Sequence, residues 1–157
     1  MITRIREAHP EDVDRLVELW IELMDFHRDR DPFFARANDA HDRFGEFIRA
    51  KMESDEAIVL AAEQGGSLIG FSMAMVRDYP PIFETVRHGF IQDVIVTEGS
   101  RRQGVARELY ERTLGWIRSQ GVSRVELEVA TTNPVSQAFW YEMGFRDSIK
   151  RLAMDLE

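Results

Sequence analysis

One junction constrains the fold more than any other part of the chain. The β-forming segment Phe90 to Val96 ends on Val94-Ile95-Val96. After the polar stretch Thr97 to Ser100 comes Arg101-Arg102-Gln103-Gly104-Val105-Ala106. Val105, Ala106, Leu109, Thr113, Leu114 and Ile117 then recur at three- and four-residue spacing, which is one apolar face of a helix. A strand that turns through a glycine-bearing loop into an amphipathic helix implies a sheet covered by helices. The same junction suits an anion. A helix start offers unpaired N–H groups and the positive end of the helix dipole. Gly104 lets the backbone approach a ligand closely, Ala106 is small, and the arginines add charge and planar donor forks. On this segment alone, a solvated basic turn before a surface helix is the alternative reading.

Elsewhere the chain changes period once. Ile2 to Glu7 can be a short strand, and His9-Pro10-Glu11-Asp12 starts a helix with proline and acids in its first turn. Val13, Leu16, Val17, Trp20, Leu23, Met24 and His27 form its apolar stripe, and Asp31-Pro32 breaks it. Phe44, Phe47, Ile48 and Met52 mark a second helix. Ala57 to Glu63 is then an apolar run, Gln64-Gly65-Gly66-Ser67 a hairpin turn, and Leu68 to Val76 the next strand. Asp78-Tyr79-Pro80-Pro81 is a stiff loop. Past the junction, Val122 to Ala130 reads as a strand, Asn133 to Met143 as a helix and Phe145 to Leu156 as a final strand. The predicted order is β-α-α-β-β-β-α-β-α-β, a mixed α/β (α+β) fold in one domain over 1–157.

Composition removes several chemistries. The chain has no cysteine, which excludes disulfides, thiolate metal sites and a cysteine nucleophile. His9, His27, His41 and His88 lack H-x-x-H or H-E-x-x-H spacing, so no metal is expected. The net charge of −8 argues against nucleic acid and favours a cationic partner. No apolar run reaches membrane length, and the charged N-terminus does not resemble a leader, so the expected setting is cytoplasmic. Neither G-x-x-x-x-G-K-[ST] nor G-x-G-x-x-G after the first strand occurs, which weighs against NTPases, kinases and dinucleotide dehydrogenases.

Arg101-x-x-Gly104-x-Ala106, between a strand and a helix, resembles the [QR]-x-x-G-x-[GA] acetyl-CoA loop of the GNAT N-acetyltransferase superfamily. Three further segments agree in order. Ile5-Arg6-x-Ala8-x-x-x-Asp12 is similar to the opening strand and helix start, and Ile91-Gln92-Asp93-Val94-Ile95-Val96 to the central cofactor strand. Asn133, Ala138-Phe139-Trp140 and Gly144-Phe145 resemble the closing element. The resemblance implies a mostly antiparallel sheet splayed at its two central parallel strands. It also implies acetyl transfer from acetyl-CoA, as co-substrate, to a primary amine of a small molecule or peptide. Carried over, the backbone of Val94, Ile95 and Val96 would pair with the pantetheine arm. The Arg101, Arg102, Gln103, Gly104, Val105, Ala106 loop would hold the pyrophosphate. Asn133 would both cap its helix and touch the cofactor.

Two positions depart from the family pattern. Where relatives often carry a glutamate just before an aspartate on the central strand, this chain has Gln92-Asp93. Glutamine is no base, and simple alternation turns Asp93 away from the face of Gln92 unless a bulge intervenes. Counting back four from Gly144 gives Trp140 rather than the usual tyrosine. An indole is no proton donor, so Trp140 is expected to pack on the cofactor arm. Tyr141 and Asp93 remain as candidate acid and base beside proximity catalysis through water. Gln92, Tyr79 and Phe33 are the expected acceptor contacts. Because the usual glutamate and tyrosine are displaced, a non-catalytic acyl-CoA-binding or sensing module is the alternative. The family also makes a homodimer an expectation.

Overall fold

The computed structural model describes residues 1–157 throughout. Five strands form one sheet in the order β1-β2-β3-β4-β5. They are β1 (Thr3–Glu7), β2 (Ala57–Gln64), β3 (Ser67–Asp78), β4 (Arg87–Val96) and β5 (Val125–Leu127). The first four pair antiparallel, and β5 joins β4 in parallel. The β2–β3 hairpin turns at Gly65 and Gly66, whose φ angles of 58° and 81° give the two left-handed residues a tight hairpin needs.

Four helices cover the sheet: α1 (Val13–Arg28), α2 (Ala40–Glu53), α3 (Val105–Ser119) and α4 (Pro134–Glu142). On one face, Leu16, Leu19, Phe44 and Ile48 of α1 and α2 bury against Val59, Phe71, Met73, Phe90 and Ile95. On the other, Val105, Leu109, Tyr110 and Ile117 of α3 meet Leu60, Ala62, Ala74 and Ile91, with Trp140 of α4 joining them. Burial of that apolar area on both faces is the main stabilising term. One buried polar pair locks the second layer, with Ser72 and Thr113 hydroxyls 2.7 Å apart between β3 and α3. The opening motif also has a structural meaning. Arg6 forks onto Asp12 at 2.7 and 3.1 Å, while Asp12 accepts the His9 amide at 2.8 Å. The Arg6 guanidinium therefore holds the Asp12 carboxyl below its usual range. That clasp fixes the step from β1 into α1.

The expected fold class holds, with two corrections. The strand expected over 122–130 shortens to Val125–Leu127, and the closing strand expected over 145–156 does not form. Past Phe145 no backbone amide bonds a backbone carbonyl, and Leu152, Met154 and Leu156 stay exposed. Alternation of apolar residues is a local pattern, whereas a strand needs a partner edge. The outer edge of β5 pairs with nothing. No helix is long and apolar enough to cross a membrane.

Candidate active site

β4 is paired unequally along its length. β3 accompanies it over Arg87–Val96, but β5 accompanies it only from Gly89 to Ile91. Beyond Ile91 the two parallel strands part, and no strand pairs with the outer edge of Val94, Ile95 and Val96. The splay expected between the central strands is thus present.

At that point the β3–β4 register slips. Met73 opposes Asp93 while Ala74 opposes Ile91, so Gln92 is an extra residue, a β-bulge. The bulge explains why Phe90 and Ile95, five residues apart, share the α1–α2 face. Gln92 follows Phe90 by two and Asp93 precedes Ile95 by two, so both turn to that same face. Simple alternation would have separated them. Gln92 is exposed and its Oε1 accepts from Arg77 at 3.4 Å, while the Arg77 guanidinium lies 3.6 Å over the Phe90 ring. Asp93 is partly exposed as a residue, yet its Oδ2 is sealed from solvent and has no hydrogen-bond partner. Burial raises its carboxyl to about 7.

At the end of β4, the loop turns into α3. Arg102 has φ 63° and Gly104 has φ 81°, the latter capping the helix in left-handed geometry. None of the amides from Arg102 to Ala106 donates to a backbone carbonyl. Val105 is buried and anchors the loop, whereas Arg102, Gln103 and Gly104 are exposed. The Arg101 side chain is turned inward, its Nε donating to the Val96 carbonyl at 2.8 Å. It braces the loop rather than reaching outward. On α1, Glu22 accepts from the Thr97 hydroxyl and the Glu98 amide, each at 2.9 Å. Sequence reading missed Glu22, whose only local signal is a carboxylate flanking an apolar stripe.

The α4 residues divide. The Asn133 side chain accepts from the Ser136 amide at 3.2 Å, with Pro134 in the first turn, so it caps the helix as expected. Trp140 is 7% exposed and meets Tyr110, Phe139 and Phe145 at centroid distances of 5.6, 4.9 and 5.4 Å. Expected on the cofactor arm, the indole instead belongs to the core. Tyr141 is half-exposed and its hydroxyl donates to Asp147 at 2.6 Å. That bond raises its phenol above the ordinary value, which makes it a weaker acid.

The expected acceptor contacts also separate. Tyr79 donates to Glu126 Oε2 at 2.5 Å and stacks on buried His88 at 4.0 Å. Arg124 donates to both Glu126 and Tyr79, at 2.8 and 3.2 Å. This network ties the β3–β4 loop to β5. Phe33 is 82% exposed on the short turn Pro32–Phe34 beside α1.

Set against known proteins, the chain matches the family model described as acetyltransferase (GNAT) family over residues 14–145. An aminoglycoside N(6')-acetyltransferase type 1 of Klebsiella aerogenes is 26% identical over 65% of this chain and 67% of its own. Among solved structures, the BH1408 protein of Bacillus halodurans, solved as a tetramutant, superposes with a TM-score of 0.85 at 22% identity. That match covers 99% of this chain and 100% of that one. An acetyltransferase from Clostridium acetobutylicum, described as predicted and solved with acetyl-CoA, gives 0.80 at 19% identity, covering 98% and 96%. At these identities the superpositions show a shared fold.

Proposed function

The chain belongs to the acetyltransferase (GNAT) family, and from that premise we propose that it moves the acetyl group of acetyl-CoA to a primary amine of a cationic small molecule. One observation carries the proposal: free amides from Arg102 to Ala106 lie at the end of a strand whose outer edge opens past Ile91. An anion followed by an extended, amide-bearing arm fits that combination. The amides of Arg102 to Ala106 would hold the pyrophosphate, Val94 to Val96 the arm, and Asn133 would add a contact beyond its capping role. Acetyl-CoA supplies the acetyl group as an activated thioester.

The remaining chemistry falls to residues of the chain. An ammonium has no free pair of electrons, so the acceptor must lose a proton before it attacks. The Asp93 carboxylate would take it through the oxygen that is not sealed, directly or by way of water, because a carboxyl titrating near 7 is half-ionised at neutral pH. As the C–N bond forms and the thioester C–S bond breaks, a main-chain amide at Val94 would donate to the oxygen on which negative charge develops, and coenzyme A leaves as a thiolate that takes up the proton given up by the amine, through water. Holding the amine beside its target supplies much of the remaining acceleration. The net charge of −8 and the named substrate of the Klebsiella relative both support a cationic acceptor of the aminoglycoside or polyamine kind. Gln92, Tyr79 and Phe33 would border that acceptor.

The test is acetyl-CoA-dependent thiol release across a panel of aminoglycosides, polyamines, amino acids and peptides. Release with a cationic small amine is the expected result. Acetyl-CoA binding without release across the panel would point to a sensing module instead. For the homodimer, the unpaired edge of β5 and the exposed Ile149, Leu152, Met154 and Leu156 give support. Sedimentation should then show a dimer that residues 1–144 alone do not form.

A further inference from the structure

Glu22 lies on α1, seven residues after Arg15 and therefore on the same stripe of the helix. Arg15 Nε donates to the Leu68 carbonyl at 3.1 Å, so this partly exposed stripe borders the strand ends. The two Glu22 oxygens divide their work. Oε2 accepts from the Thr97 hydroxyl at 2.9 Å; Oε1 accepts from the Glu98 amide at 2.9 Å and lies 3.6 Å from Arg101 Nη2. Arg101 in turn donates to the Val96 carbonyl at 2.8 Å. One carboxylate from a different layer thus holds both ends of the 97–101 segment against the end of β4.

The residue just past this clasp is Arg102, at φ 63°. A non-glycine residue keeps such a conformation only where its surroundings impose it. A negative charge beside a loop suited to anions is also unfavourable by simple charge counting. Geometry accounts for its presence, since no neutral side chain offers two strong acceptors there at once.

We propose that Glu22 is a positioning residue: it fixes the β4–α3 loop from α1 so that the amides of Arg102 to Ala106 are pre-set for a pyrophosphate. The proposal rests on the acetyl-CoA reading above. Glu22 does not touch the reacting atoms, so its effect falls on cofactor affinity and not on the acetyl-transfer step. A preformed loop does not spend binding free energy on ordering itself.

The experiment compares Glu22→Ala and Glu22→Gln with the wild type, using acetyl-CoA and S-acetyl-N-acetylcysteamine, a thioester with no pyrophosphate. For Glu22→Ala, KM for acetyl-CoA should rise about tenfold while kcat at saturation changes less than about twofold. Glu22→Gln, with one carbonyl oxygen left to accept, should fall between. KM for the short thioester should not move. Unchanged or tighter acetyl-CoA binding in Glu22→Ala overturns the proposal, because charge relief would then outweigh positioning. An equal rise in KM for the short thioester overturns it too, since the whole site would have lost shape. Hydrogen exchange at the Glu98 amide of the cofactor-free protein tests the brace separately: faster exchange in Glu22→Ala supports it, and unchanged exchange overturns it. A wild type that fails to bind acetyl-CoA would instead break the reading beneath.

Discussion

The two halves of β4 are built to opposite ends. From Gly89 to Ile91 the strand has a neighbour on each side, and the Tyr79–Glu126–Arg124 network with His88 ties the β3–β4 loop to β5 there. From Gln92 to Val96 it keeps one neighbour, carries a bulge and leaves one edge free. The first half spends its hydrogen bonds on the fold. The second withholds them, and there a sealed carboxyl oxygen is left without a partner. On the proposed reading, stability and binding are thus separated within ten consecutive residues.

The sharpest way to break this contrast is Asp93→Asn. In the open half it should lower kcat/KM by about 100-fold or more while leaving acetyl-CoA affinity nearly unchanged. Wild-type kcat/KM should fall as pH drops below about 7, where the Asp93 carboxyl becomes protonated. Retained activity in the variant would remove Asp93 as the base. The stability effect runs the other way. A carboxyl raised from 3.8 to about 7 stabilises the fold fully at low pH, and that contribution is lost as pH rises through 7. Asp93→Asn should therefore raise Tm at pH 8 by a few degrees, and barely at pH 4.

The closed half should respond in stability instead. A Cβ on Gly89 would lie 2.5 Å from Ile117 Cγ2 on α3. Gly89→Ala should cost about 1–3 kcal/mol, or roughly 3–8 °C in Tm by thermal melt, with kcat/KM at low temperature little changed. Gly104→Val reverses the pattern. A Cβ at Gly104 meets nothing within 4 Å, but its φ of 81° strains any side chain. KM for acetyl-CoA should rise about tenfold, while the backbone strain lowers Tm by only a few degrees. The smallest effect is expected at Tyr141→Phe. With its hydroxyl given to Asp147, turnover should stay within about twofold, and loss of turnover would restore Tyr141 as the acid.

These contrasts also separate what could be read in advance from what could not. The loop from Arg101 to Ala106 was legible because a helix start, a glycine and a preceding strand are all local in sequence. Asn133 was legible as a cap for the same reason. The bulge at Gln92 was not, because a register slip exists only relative to β3, and it decides which way Asp93 faces. Trp140 was placed on the cofactor arm by a counting rule, yet the aromatic neighbours that bury it include Tyr110 on another helix. Glu22 lies 75 residues before the hydroxyl it accepts from. The closing strand was overread because an alternating pattern carries no information about whether an edge awaits it.

Arg102 sets a direction for engineering and for drift. It holds a left-handed backbone in an exposed loop, where the conformation disfavours most side chains by about 1 kcal/mol and suits glycine or asparagine. What the loop would contribute there, on the proposed reading, is a main-chain amide, which every substitution except proline preserves. Position 102 is therefore a place where sequence diversity should accumulate cheaply among variants of this protein, and where a stabilising replacement can be sought that keeps the main-chain amide.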